Sequence, residues 1–297
     1  MYQQKNRKDL FFYSSNFCLM ILCLFAFTAC TNFSKPQFAT AKVEDQTAQV
    51  ENDESSDMKY IFGDSVNVRQ KPGLKGKVIS QIKIGTRILP PADQPVEADG
   101  ETWINISHGD TDEYIAESQI ALAGLEYERN KLLLVGNLKQ INKDKMQGSF
   151  ELRQVDLSIN PDKPKIIHQN SYPISLDGTS GYFGEAKLRK DPKLPIPLAS
   201  FKIGYPACGY VQTTTYFYPD PKTGDWEIAF KTEDVADGGA FDNHHEITFP
   251  SDKGGSPNQI KVQLIESVWD DKLNDMKIVK KNPVKIYRWD GKVFMPQ

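Results

Sequence analysis

After residue 125 no hydrophobic period of 3.6 residues persists, and short runs rich in β-branched and aromatic residues recur instead: "KLLLVGNL", "SFELRQVDLS", "LASFKIG", "GYVQTTTYFY", "DWEIAFKT", "HEITF", "IKVQLIESVW" and "VKIYRW". Side chains branched at Cβ are stiff at χ1 and pack well on a pleated surface, so such runs favour strands over helices. Clusters of Pro, Gly and Asp separate them, which predicts one antiparallel β domain over residues 125–297, of sandwich or open-barrel type. Two local pairings are legible. "TTTYFY" should meet "DWEIAF" across "PDPKTG", and "YRWDGKVF" should turn tightly at Asp290-Gly291, which supplies the positive-φ residues of a type I′ turn.

Residues 58–124 read as a second, smaller β unit. Val66 and Val68 point one way in "SVNVR", Ile82 and Ile84 do so in "QIKIG", and in "ETWINIS" Trp103 shares a face with Asn105 while Ile104 shares the other with Ile106. Turn signals fall between these runs at "KPG" (71–73), Gly85, "PPADQP" (90–95) and Asp99-Gly100. Short alternating strands with this punctuation predict a small β-barrel, so the whole chain is expected to be all-β.

The same stretch is similar to the bacterial SH3-like domain (SH3b). That family runs through an Asn-Val-Arg strand, a Pro-bearing turn, a Val-Ile pair, a Lys-Gly-Thr turn, a Trp-centred strand and a closing aromatic-aliphatic pair. Here these fall at Asn67-Val68-Arg69, Pro72-Gly73, Val78-Ile79, Ile84-Gly85-Thr86, Trp103 and Tyr114-Ile115. The sequence departs at Glu113, where glycine is commoner, and in the longer loop at 90–95. The resemblance implies a binding module without catalysis, directed at peptidoglycan peptides or envelope proteins. Flat rings at the rim of such a fold give broad contact at low entropic cost. Tyr60, Trp103 and Tyr114 are therefore the ligand-contacting candidates, with Asn67 and Arg69 as polar neighbours; Trp103 is also the large apolar residue that a small barrel needs in its core.

The N-terminus carries Lys5, Arg7 and Lys8 ahead of an apolar run from Phe17 to Phe27, which has the layout of an export signal. Eleven residues are too few to cross roughly 30 Å of hydrocarbon, which takes about 20 in a helix. The run closes with Phe27-Thr28-Ala29-Cys30 and resembles the lipobox of bacterial lipoproteins, though Leu, Val or Ile is commoner at the position of Phe27. The resemblance implies cleavage after residue 29 and lipidation of Cys30, with several acyl chains making the anchor stable. Thr31 at the next position implies the outer membrane rather than the inner one. Residues 30–57 are polar and poor in large apolar residues, and are expected to be a disordered tether; as a flexible coil, residues 31–57 would reach about 30 Å.

Loss of 1–29 removes three of the 36 basic residues and one of the 39 acids, leaving 33 against 38 and a net charge of −5. That balance, with no concentrated cationic stretch, argues against nucleic acid as a partner. Of the four cysteines only Cys208 would remain unmodified, so no intramolecular disulfide can form. "YPACGYVQ" around Cys208 is distantly similar to the nucleophile motif of NlpC-type wall peptidases, with His244 or His245 as the conceivable base. Such a cysteine should open a helix, whereas the residues after it favour a strand, so a buried structural cysteine is expected and no catalytic residue is assigned. "EDVADGGAFDNHHE" is dense in carboxylates and imidazoles but has no calcium-loop spacing, and reads as a solvated acidic loop without a metal. His108 and His168 are expected at the surface. No cofactor is expected. The reading is a non-enzymatic envelope lipoprotein, with a wall hydrolase using Cys208, or an inhibitor or scaffold of an envelope enzyme, as alternatives.

Overall fold

A computed structural model describes residues 59–89, 94–106, 112–142, 144–158, 160, 163–176 and 181–297. The expected signal peptide, Cys30 and the tether lie outside the described residues, as does His108. Among the described residues the chain is all-β, with one 3₁₀ turn at Glu117–Gln119 and no helix long and apolar enough to cross a membrane.

The first seven strands are β1 (Lys59–Tyr60), β2 (Ser65–Arg69), β3 (Val78–Lys83), β4 (Arg87–Ile88), β5 (Val96–Ala98), β6 (Glu101–Asn105) and β7 (Tyr114–Ala116). They pair as a five-stranded antiparallel sheet, β3-β2-β7-β6-β5, and a separate ribbon, β1-β4, so the ladders do not close into a barrel. The alternation read from the sequence sets the faces. Val66, Val68, Ile104, Ile106 and Ile115 turn inward to one core with Ile61 and Ile88.

Four strands follow: β8 (Ala123–Glu128), β9 (Lys131–Asn142), β10 (Gln147–Asp156) and β11 (Lys165–Ser175), forming the sheet β11-β10-β9-β8. A second core ties it to the small unit, because Tyr60, Phe62, Ile84 and Ala121 pack with Leu132, Leu134 and Val155. The approach is tight at Gly136, where an added Cβ would lie 2.8 Å from the Phe62 ring, closer than a methyl group can sit. Arg153 of β10 fastens the joint. Its guanidinium lies 4.2 Å from the Phe62 ring centroid, Nη1 donates to the Phe62 carbonyl at 2.7 Å and to Asp64 at 2.9 Å, and Nη2 donates to Glu151 at 3.2 Å. The boundary expected near residue 125 therefore runs through a shared core, and both parts lie in one compact unit, Gln46–Gln297.

The remaining strands are β12 (Phe183–Arg189), β13 (Leu198–Gly204), β14 (Gln212–Pro219), β15 (Trp226–Asp237), β16 (Phe241–Thr248), β17 (Gln259–Asp270), β18 (Asp275–Lys281), β19 (Lys285–Trp289) and β20 (Phe294–Pro296). They run as β12-β13-β14-β15-β16-β17-β19-β20, with β18 paired to the distal half of β17. Both expected hairpins are present, with Tyr216 opposite Phe230 in one and Trp289 opposite Phe294 in the other. The second turn is wider than a two-residue type I′. Only Gly291 has positive φ (98°), and the Asp290 carboxylate instead accepts the amides of Lys292 and Val293 at 2.8 and 2.9 Å.

Strands β13 and β14 are covered on both sides. Ala199, Phe201, Ile203 and Phe217 pack against Leu133, Val135, Phe150 and Leu152 of the four-stranded sheet, making a sandwich. The alternate residues Leu198 and Tyr218 pack the other way, with Ile260, Val262, Trp289 and Phe294 from β17, β19 and β20. The result is three β layers with a doubly buried middle one. Phe217 sits at the centre of the first interface, its ring 6.4 Å from Phe150, 6.0 Å from Phe201 and 5.1 Å from Tyr172, all edge-to-face; each such pair adds about 0.5–1.5 kcal/mol beyond burial.

Candidate functional site

Alternation along β2 buries Val66 and Val68 and turns Ser65, Asn67 and Arg69 to the outer face of the five-stranded sheet. Asn67 Oδ1 accepts Gln81 Nε2 at 2.8 Å, and Lys83 Nζ donates to Ser65 Oγ at 2.9 Å, so a polar ladder covers β2 and β3. Arg69 is held more firmly. Its Nη1 donates to the Gly76 carbonyl at 2.6 Å, its guanidinium lies 5.9 Å from the Trp103 ring centroid, and its Cα partner across the ladder is Tyr114. Tyr114 in turn lies opposite Asn105 of β6. Asn67, Arg69, Trp103 and Tyr114 are thus brought to one face of the sheet.

Two of the five expected contact residues are buried. Trp103 is only 2 % exposed: Arg69 lies over its ring and its Nε1 donates to the Ala98 carbonyl at 3.0 Å, so the indole is the floor of the patch. It is buried as expected, but on the face opposite Ile104 and Ile106 and outside their core. Tyr60 is 4 % exposed and belongs to the core between the small unit and the four-stranded sheet, with the Arg87 guanidinium 5.6 Å from its ring. It is removed from the face because β1 pairs with β4 and not with β2. Asn105, absent from the sequence-based site, joins the patch. It is buried, donates to Asp112 at 3.2 Å and accepts the Glu113 amide at 3.4 Å, fixing the approach to β7. Its signal was the shared face with Trp103.

The second group of candidates does not assemble into a nucleophile and base. Cys208 is exposed, in a turn between β13 and β14, and not the buried residue expected; the Gly209 amide donates to the Ala236 carbonyl at 2.7 Å and pins that turn to the end of β15. The acidic run is not a loop but the β15–β16 hairpin. His245 Nδ1 is 2.7 Å from Asp234 Oδ1, and His244 Nδ1 is 3.0 Å from Asp242 Oδ2. Each imidazole therefore has its own carboxylate, and among the described residues neither bonds to the thiol. No group of three or more His, Cys, Asp or Glu among the described residues is placed to hold a metal ion. His168, expected as an isolated surface residue, is half-buried with its Nδ1 against Asp225 Oδ1.

Comparison with known proteins found no matching family model, no similar curated protein and no similar solved structure.

Proposed function

We propose that the protein is a non-enzymatic cell-envelope lipoprotein, anchored through Cys30 and facing the periplasm from the outer membrane, whose small N-terminal unit binds an extended peptide presented by peptidoglycan or by an envelope protein. The observation that supports the binding half is the placing of Asn67, Arg69 and Tyr114 on one face, with Arg69 over the buried Trp103. One Arg69 nitrogen is committed to Gly76, which orients the planar guanidinium. Its other donors form a fork that matches a carboxylate, and Tyr114, its partner across the ladder, adds an aromatic ring beside it. The lipobox and the similarity to SH3-like modules support the location and the class of ligand.

Sedimentation of the lipid-free chain with purified sacculi tests the reading. Binding should exceed that of a control lipoprotein and fall about tenfold in Arg69→Ala, in line with the loss of a charge-assisted contact. Sedimentation no better than the control, together with failure to co-purify any envelope protein from membranes, would sink the binding role. Labelling with radioactive palmitate, abolished by Cys30→Ala, checks the anchor.

A further inference from the structure

Strand β12 contributes no side chain to the outer core of the three-layer domain, and beside it a cavity of about 120 Å³ opens on the face of β12–β14 turned away from the four-stranded sheet. Lys187, Arg189, Leu198, Ser200, Tyr216 and Phe249 line it. Register fixes three of them in one rung, since Lys187 lies opposite Ser200 and Ser200 opposite Tyr216.

Arg189 forms a rigid wall. Its guanidinium is 3.9 Å from the Phe249 ring centroid, and its Nη2 donates to Asp252 at 2.7 Å and lies 3.6 Å from Asp191. Those two carboxylates are already engaged. Asp191 accepts Ser251 Oγ at 2.7 Å and the amides of Lys193 and Ser251, while Asp252 Oδ2 accepts the Phe249 amide at 2.8 Å. Their charges offset Arg189 and leave Lys187 as the uncommitted cation.

The polar groups of the lining that lack a partner among the described residues are all able to donate: the Lys187 ammonium, the hydroxyls of Ser200 and Tyr216, and the buried Nε of Arg189. Burial, with the charge of Asp234, pushes the Tyr216 phenol up to about 12, so it keeps its proton at neutral pH. Its ring is fixed by stacking on Phe230 at 4.3 Å. Donors and one cation set among Leu198, Phe249 and Tyr216 are complementary to an acceptor with an apolar body.

We propose that this cavity binds a small aliphatic carboxylate, ion-paired to Lys187, accepting hydrogen bonds from Ser200 and Tyr216, with its hydrocarbon part against Leu198 and Phe249. The volume is a little below the roughly 150 Å³ that admits benzene, so the part of the ligand that enters the cavity is limited to roughly six heavy atoms and the rest of a larger one stays outside. A free short-chain acid and the terminal carboxylate of a peptide present the same chemistry. The site is separate from the outer face of the small sheet and does not depend on the role assigned to it.

Titration of the full-length chain in detergent with isobutyrate, isobutyramide and N-acetylalanine, followed by amide chemical shifts, tests this. Isobutyrate should saturate with a millimolar Kd and shift the amides of Lys187, Ser200 and Tyr216, and the uncharged amide should bind about tenfold more weakly. Lys187→Gln, at an exposed position, should weaken isobutyrate about tenfold without changing the spectrum elsewhere, and Ser200→Ala should weaken it about threefold. N-acetylalanine binding as tightly as isobutyrate identifies a peptide terminus as the source, and isobutyrate binding alone identifies a free acid. Equal affinity for the acid and its amide, shifts remote from β12–β14, or no saturation by any of the three overturns the proposal.

Discussion

Strands β14 and β18 are both seven or eight residues long, yet one is enclosed and the other is bare. In β14 Phe217 faces the four-stranded sheet, Tyr218 faces the outer layer, and even Thr213 and Thr215 are buried. In β18 six of the seven residues are exposed, Ile278 and Val279 among them. Both pair in antiparallel ladders, β14 with β13 and β15 and β18 with β17 alone, but backbone pairing by itself does not bury a strand's two faces. Layers do. A strand gains most from burying side chains on two faces, and β18 extends along the distal half of β17, past the residues of β17 that belong to the outer core.

The sharpest way to break this contrast is Phe217→Ala, which removes a fully buried ring from the centre of the sandwich and should cost about 3–5 kcal/mol in urea denaturation. A cost below about 1 kcal/mol would mean that the middle layer is not packed as described.

Next in size is the joint between the small unit and the four-stranded sheet. Replacing Arg153 by Met keeps much of the stem but removes the bonds to the Phe62 carbonyl and Asp64, and leaves the mostly buried Glu151 without its guanidinium partner. The expected loss is about 2–3 kcal/mol, in a single transition reported equally by probes in both parts. Two separated transitions would show that the shared core of Tyr60, Phe62, Leu132 and Leu134 does not couple them.

These two sites mark how far the sequence could be read. Alternation tells which residues share a face, and the strand-rich, helix-poor fold and both C-terminal hairpins follow from it and from turn chemistry. It does not tell what covers each face. Tyr60 looked like a rim aromatic because nothing local reveals that β9 and β10 close over it. Trp103 and Ile104 are adjacent and so point to opposite faces, yet both are buried. Cys208 was expected inside because cysteine usually is, but its turn projects beyond β13 and β14. At Asp290 the side chain, rather than a left-handed backbone, satisfies the turn amides, and both solutions use the same Asp-Gly pair.

A smaller effect should come from Asp191, a carboxylate buried beside β12. Burial alone would raise its pKa, but the Ser251 hydroxyl, the amides of Lys193 and Ser251 and the Arg189 charge outweigh it and hold the group below its ordinary value. Because the folded pKa is lowered, its contribution is present above the unfolded value of about 3.9 and is lost as pH falls through the folded one. Asp191→Asn should therefore destabilise by about 1–2 kcal/mol at neutral pH, and the gap from the parent should narrow below about pH 4. A gap that stays constant down to pH 2 would show that the ionised form is not what the surrounding donors stabilise.

The smallest effect belongs to the bare ribbon. Ile278 is 49 % exposed and lies opposite Ser267 across the ladder, so Ile278→Ser should change stability by no more than about 0.5 kcal/mol. The exposed residues near it, Trp269, Leu273 and Val279, are interspersed with Lys272, Lys277, Lys280 and Lys281, and Lys280 is bonded to Glu266 at 2.9 Å. Lysine along a strand with one unpaired side discourages edge-to-edge association. If that is what keeps the ribbon soluble, Lys277→Val should leave the unfolding midpoint unchanged while promoting aggregation on light scattering at high concentration. A shift of the midpoint with no aggregation would reverse the contrast drawn with β14, since it would make these side chains part of a packed layer.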